Sequence, residues 1–121
     1  MAEHEKLVIV ATHGPEDPER ATIPFVMAVA ALASDVEVVM GFQADGVCLV
    51  HQGEAENVQA PEFPPLTKLL SDFRELGGKL LVCGPCVKSR GISESLVPGA
   101  EIVAAGRFVA EVTSATNSLV Y

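Results

Sequence analysis

Two cysteines stand three positions apart in Cys83-Gly84-Pro85-Cys86, and Lys88 and Arg90 follow within four residues of the second. A thiolate is the nucleophile of sulfur chemistry, and nearby cations and helix N-termini lower its pKa. Cys83 ends an apolar stretch, so the chain turns there. Gly84 has no side chain and lets a reactant approach the backbone. A turn beginning at Pro85 would aim free N–H groups back at the Cys83 sulfur. With Arg90 nearby, the segment reads as an anion-stabilising pocket for a thiolate or persulfide. On this reading Cys83 has the lower pKa of the two, and Cys86, inside the turn, is a second carrier or a resolving thiol.

The other polar residues add less. Cys48 lies in an apolar run with no partner in sequence and reads as a small buried hydrophobe. Zinc needs four ligands, and there is no second C-x-x-C and no H-x-x-x-H, so no metal is expected. His13-Gly14 follows an apolar run, and His13 is a candidate proton donor. His4 and His51 have weaker claims. The acidic residues between Glu54 and Glu62 read as solvated loop charge. There is no phosphate loop, no dinucleotide fingerprint and no nucleophile elbow. Thiol chemistry requires no cofactor, and none is expected.

Sixteen acidic against eight basic residues give a formal charge of −8, the wrong sign for phosphate or an anionic membrane surface. The longest apolar run, Ile23 to Ala33, is too short to span a bilayer and contains Pro24. The start MAEHEKLVIV lacks the features of a signal peptide, and an odd cysteine count does not suit a disulfide framework. The expectation is a cytoplasmic protein that binds neither nucleic acid nor membrane. A chain of 121 residues buries roughly two thirds of its unfolded surface, enough for one domain over residues 1–121. Aromatics are 5% of the chain, so the core must be largely aliphatic.

The elements that must position the thiols alternate. Lys6–Thr12 is a β-branched apolar run, the pattern of a strand buried on both faces. Asp17-Pro18 fits a helix N-cap and first turn, and the helix runs to about Ala33. Ile23, Val26, Met27, Ala30 and Ala31 follow one helical face, and Phe25, Val29 and Leu32 lie on the other. Pro24 suggests that the regular part begins near Ile23. A helix apolar all round needs cover on both sides, from the sheet and from another element or subunit.

Asp35–Phe42 is a second strand. Val47–Val50 fits either a short helix or a short strand, and Gly53–Pro65 reads as an exposed loop. Leu66, Leu69, Leu70, Phe73 and Leu76 mark an amphipathic helix ended by Gly77-Gly78. Lys79–Cys83 is a third strand running into the dithiol motif. Val87–Arg90 is a helical turn stopped by Gly91, and Ser93 caps another short helix through Leu96. Glu101–Ala104 is a fourth strand. Gly106–Thr116 is a helix with Phe108, Val109, Val112 and Ala115 on its apolar side, and Leu119–Tyr121 is a terminal strand. The alternation predicts an α/β fold with a parallel sheet, whose ligands gather at the carboxyl ends of the strands. The His13-Gly14 loop and the dithiol loop both lie there.

Cys-Gly-Pro-Cys is also the redox motif of thioredoxins, where it opens a long helix. Here it falls late, with only about one βα unit and a terminal strand after it, so that order does not fit. The chain instead resembles the DsrE/DsrF-like family, which includes subunits of bacterial sulfur-relay complexes. The resemblance rests on VIVATHGPEDPERATIPFVMAVAAL, on ADGV at 44–47 and on LLVCGPCVKSRGI at 80–92. It implies a three-layer α/β/α fold with a mainly parallel five-stranded sheet, assembled as a trimer or hexamer, and a short helix over Val47–Val50. It also implies that Cys83 matches the cysteine that accepts a persulfide sulfur and passes it to a small acceptor protein. Arg90-Gly91 then matches the family's Arg-Gly.

Cys86 is an addition to the single-cysteine pattern of the relay subunits. It can resolve a Cys83 persulfide into a disulfide with release of sulfide. Three functions therefore stand together: a persulfide carrier, in enzymatic form a sulfurtransferase; a dithiol oxidoreductase cycling Cys83 and Cys86; and a non-enzymatic oligomer holding a small anion.

Overall fold

The computed structural model describes residues 4–121; the first three residues of the expected domain lie outside that range. Five strands run in the order β1 (Lys6–Ala11), β2 (Glu37–Phe42), β3 (Lys79–Cys83), β4 (Ala100–Val103) and β5 (Asn117–Val120). All pair in parallel, in the spatial order β4-β3-β2-β1-β5. The helices are α1 (Pro18–Ala33), α2 (Leu66–Glu75), α3 (Gly84–Ser89) and α4 (Ala105–Thr113), with 3-10 segments at Ala44–Val50 and Ala55–Asn57. This is the predicted α/β fold with layers on both sheet faces. No helix among the described residues is long and apolar enough to cross a membrane.

Strand order explains the layers. The steps β1 to β2 to β3 to β4 all move in one direction, and right-handed crossovers then place their helices on one face. The last crossover returns past β1 and puts α4 on the other. Side-chain alternation matches this split. Ile9, Ala11, Val38, Met40, Phe42, Leu80 and Val82 pack with Phe25 of α1, Phe73 of α2 and Val87 of α3. Val8, Val10, Val39, Leu81 and Val103 pack with Phe108 of α4.

Helix α1 starts as the sequence predicts: the Asp17 side chain accepts from the Arg20 N–H, and Pro18 opens the first turn. The expected delay to Ile23 does not occur, and the helix is continuous through Pro24. Proline removes one intrahelical hydrogen bond; burial of Ala21, Phe25 and Ala28 around it outweighs that loss. The buried face also differs from the expected one. Ala21, Thr22, Pro24, Phe25 and Ala28 are buried, whereas Met27 and Ala30 are exposed. Both faces were apolar, so only the placement of α1 on the sheet could choose between them.

Two further expectations are corrected. Ser93–Leu96 is not a helix: Leu96 bridges His51, and the Val97 N–H donates to the Val50 carbonyl at 2.8 Å, so this segment is drawn across to the end of the 3-10 segment. The stretch from Gly53 to Pro65 is not wholly exposed, because Ala55, Val58 and Ala60 are buried. Val47–Val50 belongs to the 3-10 segment Ala44–Val50, in line with the helical alternative.

Candidate functional site

The carboxyl ends of β1, β2 and β3 lie side by side, because Ala11 pairs with Phe42 and Phe42 with Val82. Three chain reversals therefore meet at one edge: the loop after Ala11, the start of the 3-10 segment after Phe42, and the dithiol motif after Val82. Cys83 is the last residue of β3 and the N-cap of α3, with extended backbone angles (φ −62°, ψ 119°). Cys86 lies one turn on. Both are free thiols and partly buried. Their sulfurs lie 2.7 Å apart and share a hydrogen bond.

The Cys86 sulfur has a second partner, the Ala44 N–H at 3.3 Å. Arg90 joins the same two segments. Its guanidinium donates to Asp45 Oδ1 at 2.8 Å and to the Cys86 carbonyl at 3.2 Å. Asp45 and Ala44 were not singled out as site residues from the sequence. The signal that could have found them is their position immediately after a buried strand, at the edge where ligands gather in parallel sheets.

The electrostatics differ from expectation at Cys83. Burial pushes its thiol above the ordinary value of 9.0, and the hydrogen bond with Cys86 pushes the same way; the Cys86 N–H and the Arg90 charge act in the opposite sense. Desolvation disfavours the thiolate, and here it outweighs the N–H groups expected to lower the pKa. Cys48 is partly buried, and its thiol is also raised, first by burial and then by Glu54.

The remaining sequence-derived residues take different places. His13 Nδ1 lies 3.1 Å from Glu16 Oε2, and no hydrogen bond joins His13 to either thiol. The Gly14 N–H donates to Glu16 Oε1 at 2.7 Å. A Cβ on Gly14 would collide with the Asp45 carbonyl, so this glycine lets the β1 loop press against the 3-10 segment. Gly84 has ordinary room beside Val103 and Ile102. Gly91 has φ +67° with open space around it, which makes it the left-handed residue that ends α3. Lys88 is exposed. No group of three or more metal-ligating side chains occurs among the described residues.

The arrangement can do dithiol chemistry: two sulfurs within reach of one another, one backbone donor and one guanidinium beside them. Comparison with known proteins agrees with the fold around it. The pattern of the DsrE/DsrF-like family matches residues 5–121. The uncharacterized protein MJ0989 of Methanocaldococcus jannaschii is 32% identical over 118 residues, covering 96% of this chain and 99% of that protein. The uncharacterized protein MJ0760 of the same organism is 35% identical over 106 residues, which is 87% of this chain but 38% of the relative, so the chain spans well under half of it. Among solved structures, the ychN protein from E. coli has a TM-score of 0.82 at 23% identity, covering 97% of this chain and 99% of that one. The protein of unknown function MTH1491 from Methanobacterium thermoautotrophicum has a TM-score of 0.75 at 13% identity, covering 98% and 100%. These two structures are alike in fold.

Proposed function

The chain belongs to the DsrE/DsrF-like family, and from that membership we propose a sulfur-handling protein in which Cys83 is the persulfide acceptor and Cys86 its neighbouring thiol. The observation that carries this reading is the pair of free sulfurs 2.7 Å apart at the carboxyl edge of the sheet. The Cys83 thiolate attacks the outer sulfur of a donor persulfide, R–S–SH. A new S–S bond forms on Cys83, the donor's S–S bond breaks, and the donor leaves as RS⁻. A thiolate on a small acceptor protein then takes the outer sulfur and restores Cys83. Arg90 and the Cys86 N–H favour the anion against the desolvation that raises it. No cofactor enters these steps.

Burial pushes the Cys83 thiol above its ordinary value, so its thiolate becomes more populated only as the solution turns alkaline. The loading rate is therefore expected to rise as pH increases toward and beyond the ordinary thiol value of 9.0. Intact mass spectrometry after incubation with glutathione persulfide tests the reading. Cys86→Ser, which has no second thiol to discharge the persulfide, gains one sulfur atom that a reductant removes, and Cys83→Ser does not. Loading of Cys83→Ser at the wild-type rate would overturn the assignment.

A second reading, a dithiol oxidoreductase, is favoured by the same sulfur separation. It predicts a reversible Cys83–Cys86 disulfide with a dithiol substrate and no retained sulfur. We place either chemistry in the reducing cytoplasm, where free thiols persist, and in a homo-oligomer, a trimer or hexamer. The support for assembly is the surface formed by α4 and the strand ends beside it. There Val109 is 60% exposed and Val112 40%, beside a cleft of about 210 Å³ lined by Val10, Gln43, Phe108 and Thr113.

A further inference from the structure

Ala44 adopts φ +51°, a left-handed conformation that a residue with a side chain rarely takes. Such strain persists only where the surroundings impose it, and it concentrates at functional positions. Three contacts impose it here. Gly46 sits so close to the Ala11 carbonyl that any Cβ would collide with it, and Gly14 meets the Asp45 carbonyl in the same way. From the third side, Asp45 is held by Arg90 at 2.8 Å. The strained corner aims one group at the site, the Ala44 N–H, and that group ends on the Cys86 sulfur. Arg90 completes the clamp by donating to the Cys86 carbonyl, so the corner and the thiol are tied through both backbone and side chain.

A cysteine that merely packs has no use for such a donor. The Ala44 N–H fixes the position of the Cys86 sulfur, which lies 2.7 Å from that of Cys83. We propose that the Ala44–Asp45 corner makes Cys86 the resolving thiol of the site, with Asp45, acting through Arg90, as a positioning residue for the step that cuts the Cys83 persulfide. This rests on the reading of Cys83 as acceptor.

In that step the Cys86 thiolate, its proton given to solvent, attacks the inner sulfur of Cys83–S–SH. The Cys83–Cys86 disulfide forms, and the outer S–S bond breaks with its electron pair leaving on HS⁻. The outer sulfur is reduced to sulfide and the two thiols are oxidised to the disulfide, so no further oxidant is needed. A dithiol reductant then returns the pair to its starting state. The protein thereby becomes a sulfide-releasing persulfide reductase when no acceptor takes the sulfur first.

The test separates loading from release. Protein is mixed with one equivalent of glutathione persulfide, and retained sulfur (by mass) and free sulfide are followed over a single turnover. Asp45→Asn keeps the size of the side chain and removes its charge, and Asp45 is more than half exposed, so the fold should tolerate it. The expected result is sulfide release slowed roughly tenfold more than loading is in the same variant, about the effect of one hydrogen bond on a rate. Asp45→Glu should restore release in part, which a general loss of packing would not allow, and Cys86→Ser should load without releasing. Release from Asp45→Asn at the wild-type rate would overturn the positioning role, and release from Cys86→Ser would overturn the resolving role. Failure of Cys83→Ser to differ from wild type in loading would instead overturn the acceptor assignment on which both depend.

Discussion

The two faces of the sheet are closed in different ways. On one, α1, α2 and α3 bury a continuous core in which Phe25 lies 5.9 Å from Phe42 and 6.1 Å from Phe73 between ring centres. On the other, the nine-residue α4 is the only helix among the described residues, and Phe108 is its only buried side chain. That ring rests on Gly41, where any Cβ would collide with it. The rest of the attachment is electrostatic. Glu111 accepts from Lys6 at 2.6 Å and from Arg107 at 2.7 Å, and Arg107 also reaches Glu101 at 2.9 Å. Apolar Val109 and Val112 remain open to solvent. The first face supplies the stability that holds the thiol edge in place, and the second is anchored by charge and left available to another surface.

The largest expected effect tests the closed face. Phe25→Ala should destabilise the protein by about 3–5 kcal/mol in a denaturant titration, the usual loss for a fully buried ring. Phe108→Ala should lose less, about 2–3 kcal/mol, because fewer side chains enclose it. Equal losses would mean that the two faces contribute alike.

Next in size is the ion network. Glu111→Gln removes the charge that Lys6 and Arg107 share and should cost about 1–3 kcal/mol. Lys6, and then Arg107, hold the Glu111 carboxyl below its ordinary value of 4.5. A depressed folded pKa adds stability that is present above the unfolded value and is lost as pH falls through the folded one. The stability difference between wild type and Glu111→Gln should therefore be largest at neutral pH and shrink as acid is added below 4.5. A difference that stayed constant down to acid pH would show that the carboxylate charge is not what secures α4.

The smallest effect on stability should accompany the largest on assembly. Val109→Asp lies on the open face and should change monomer stability by no more than about 0.5 kcal/mol, yet shift light scattering toward the monomer. Met27→Asp, on the exposed strip of α1, should leave assembly unchanged. The reverse pattern would move the assembly surface to the outer face of α1, where Met27 and Ala30 are exposed.

Much was legible without coordinates because it is local. The β-branched runs at Lys6–Thr12 and Lys79–Cys83, the Asp17-Pro18 start and the Gly77 stop depend on neighbours a few residues away. The proximity of Cys83 and Cys86 is equally local, since a spacing of three inside a turn brings two side chains together whatever surrounds them. Other features depend on what the sheet brings from far along the chain. Either face of α1 could have been buried, and strand order chose the one with Phe25. Ser93–Leu96 carried helix signals that lost to pairing with His51. The pKa direction of Cys83 followed from how deeply the strand end sits, a quantity that composition does not contain. The strained Ala44 N–H reaches Cys86 across 42 residues of sequence only because β2 and β3 are neighbours. Side-chain identity and spacing determined which groups could react; the order of the parallel strands decided which of them meet, and how much water is left between them.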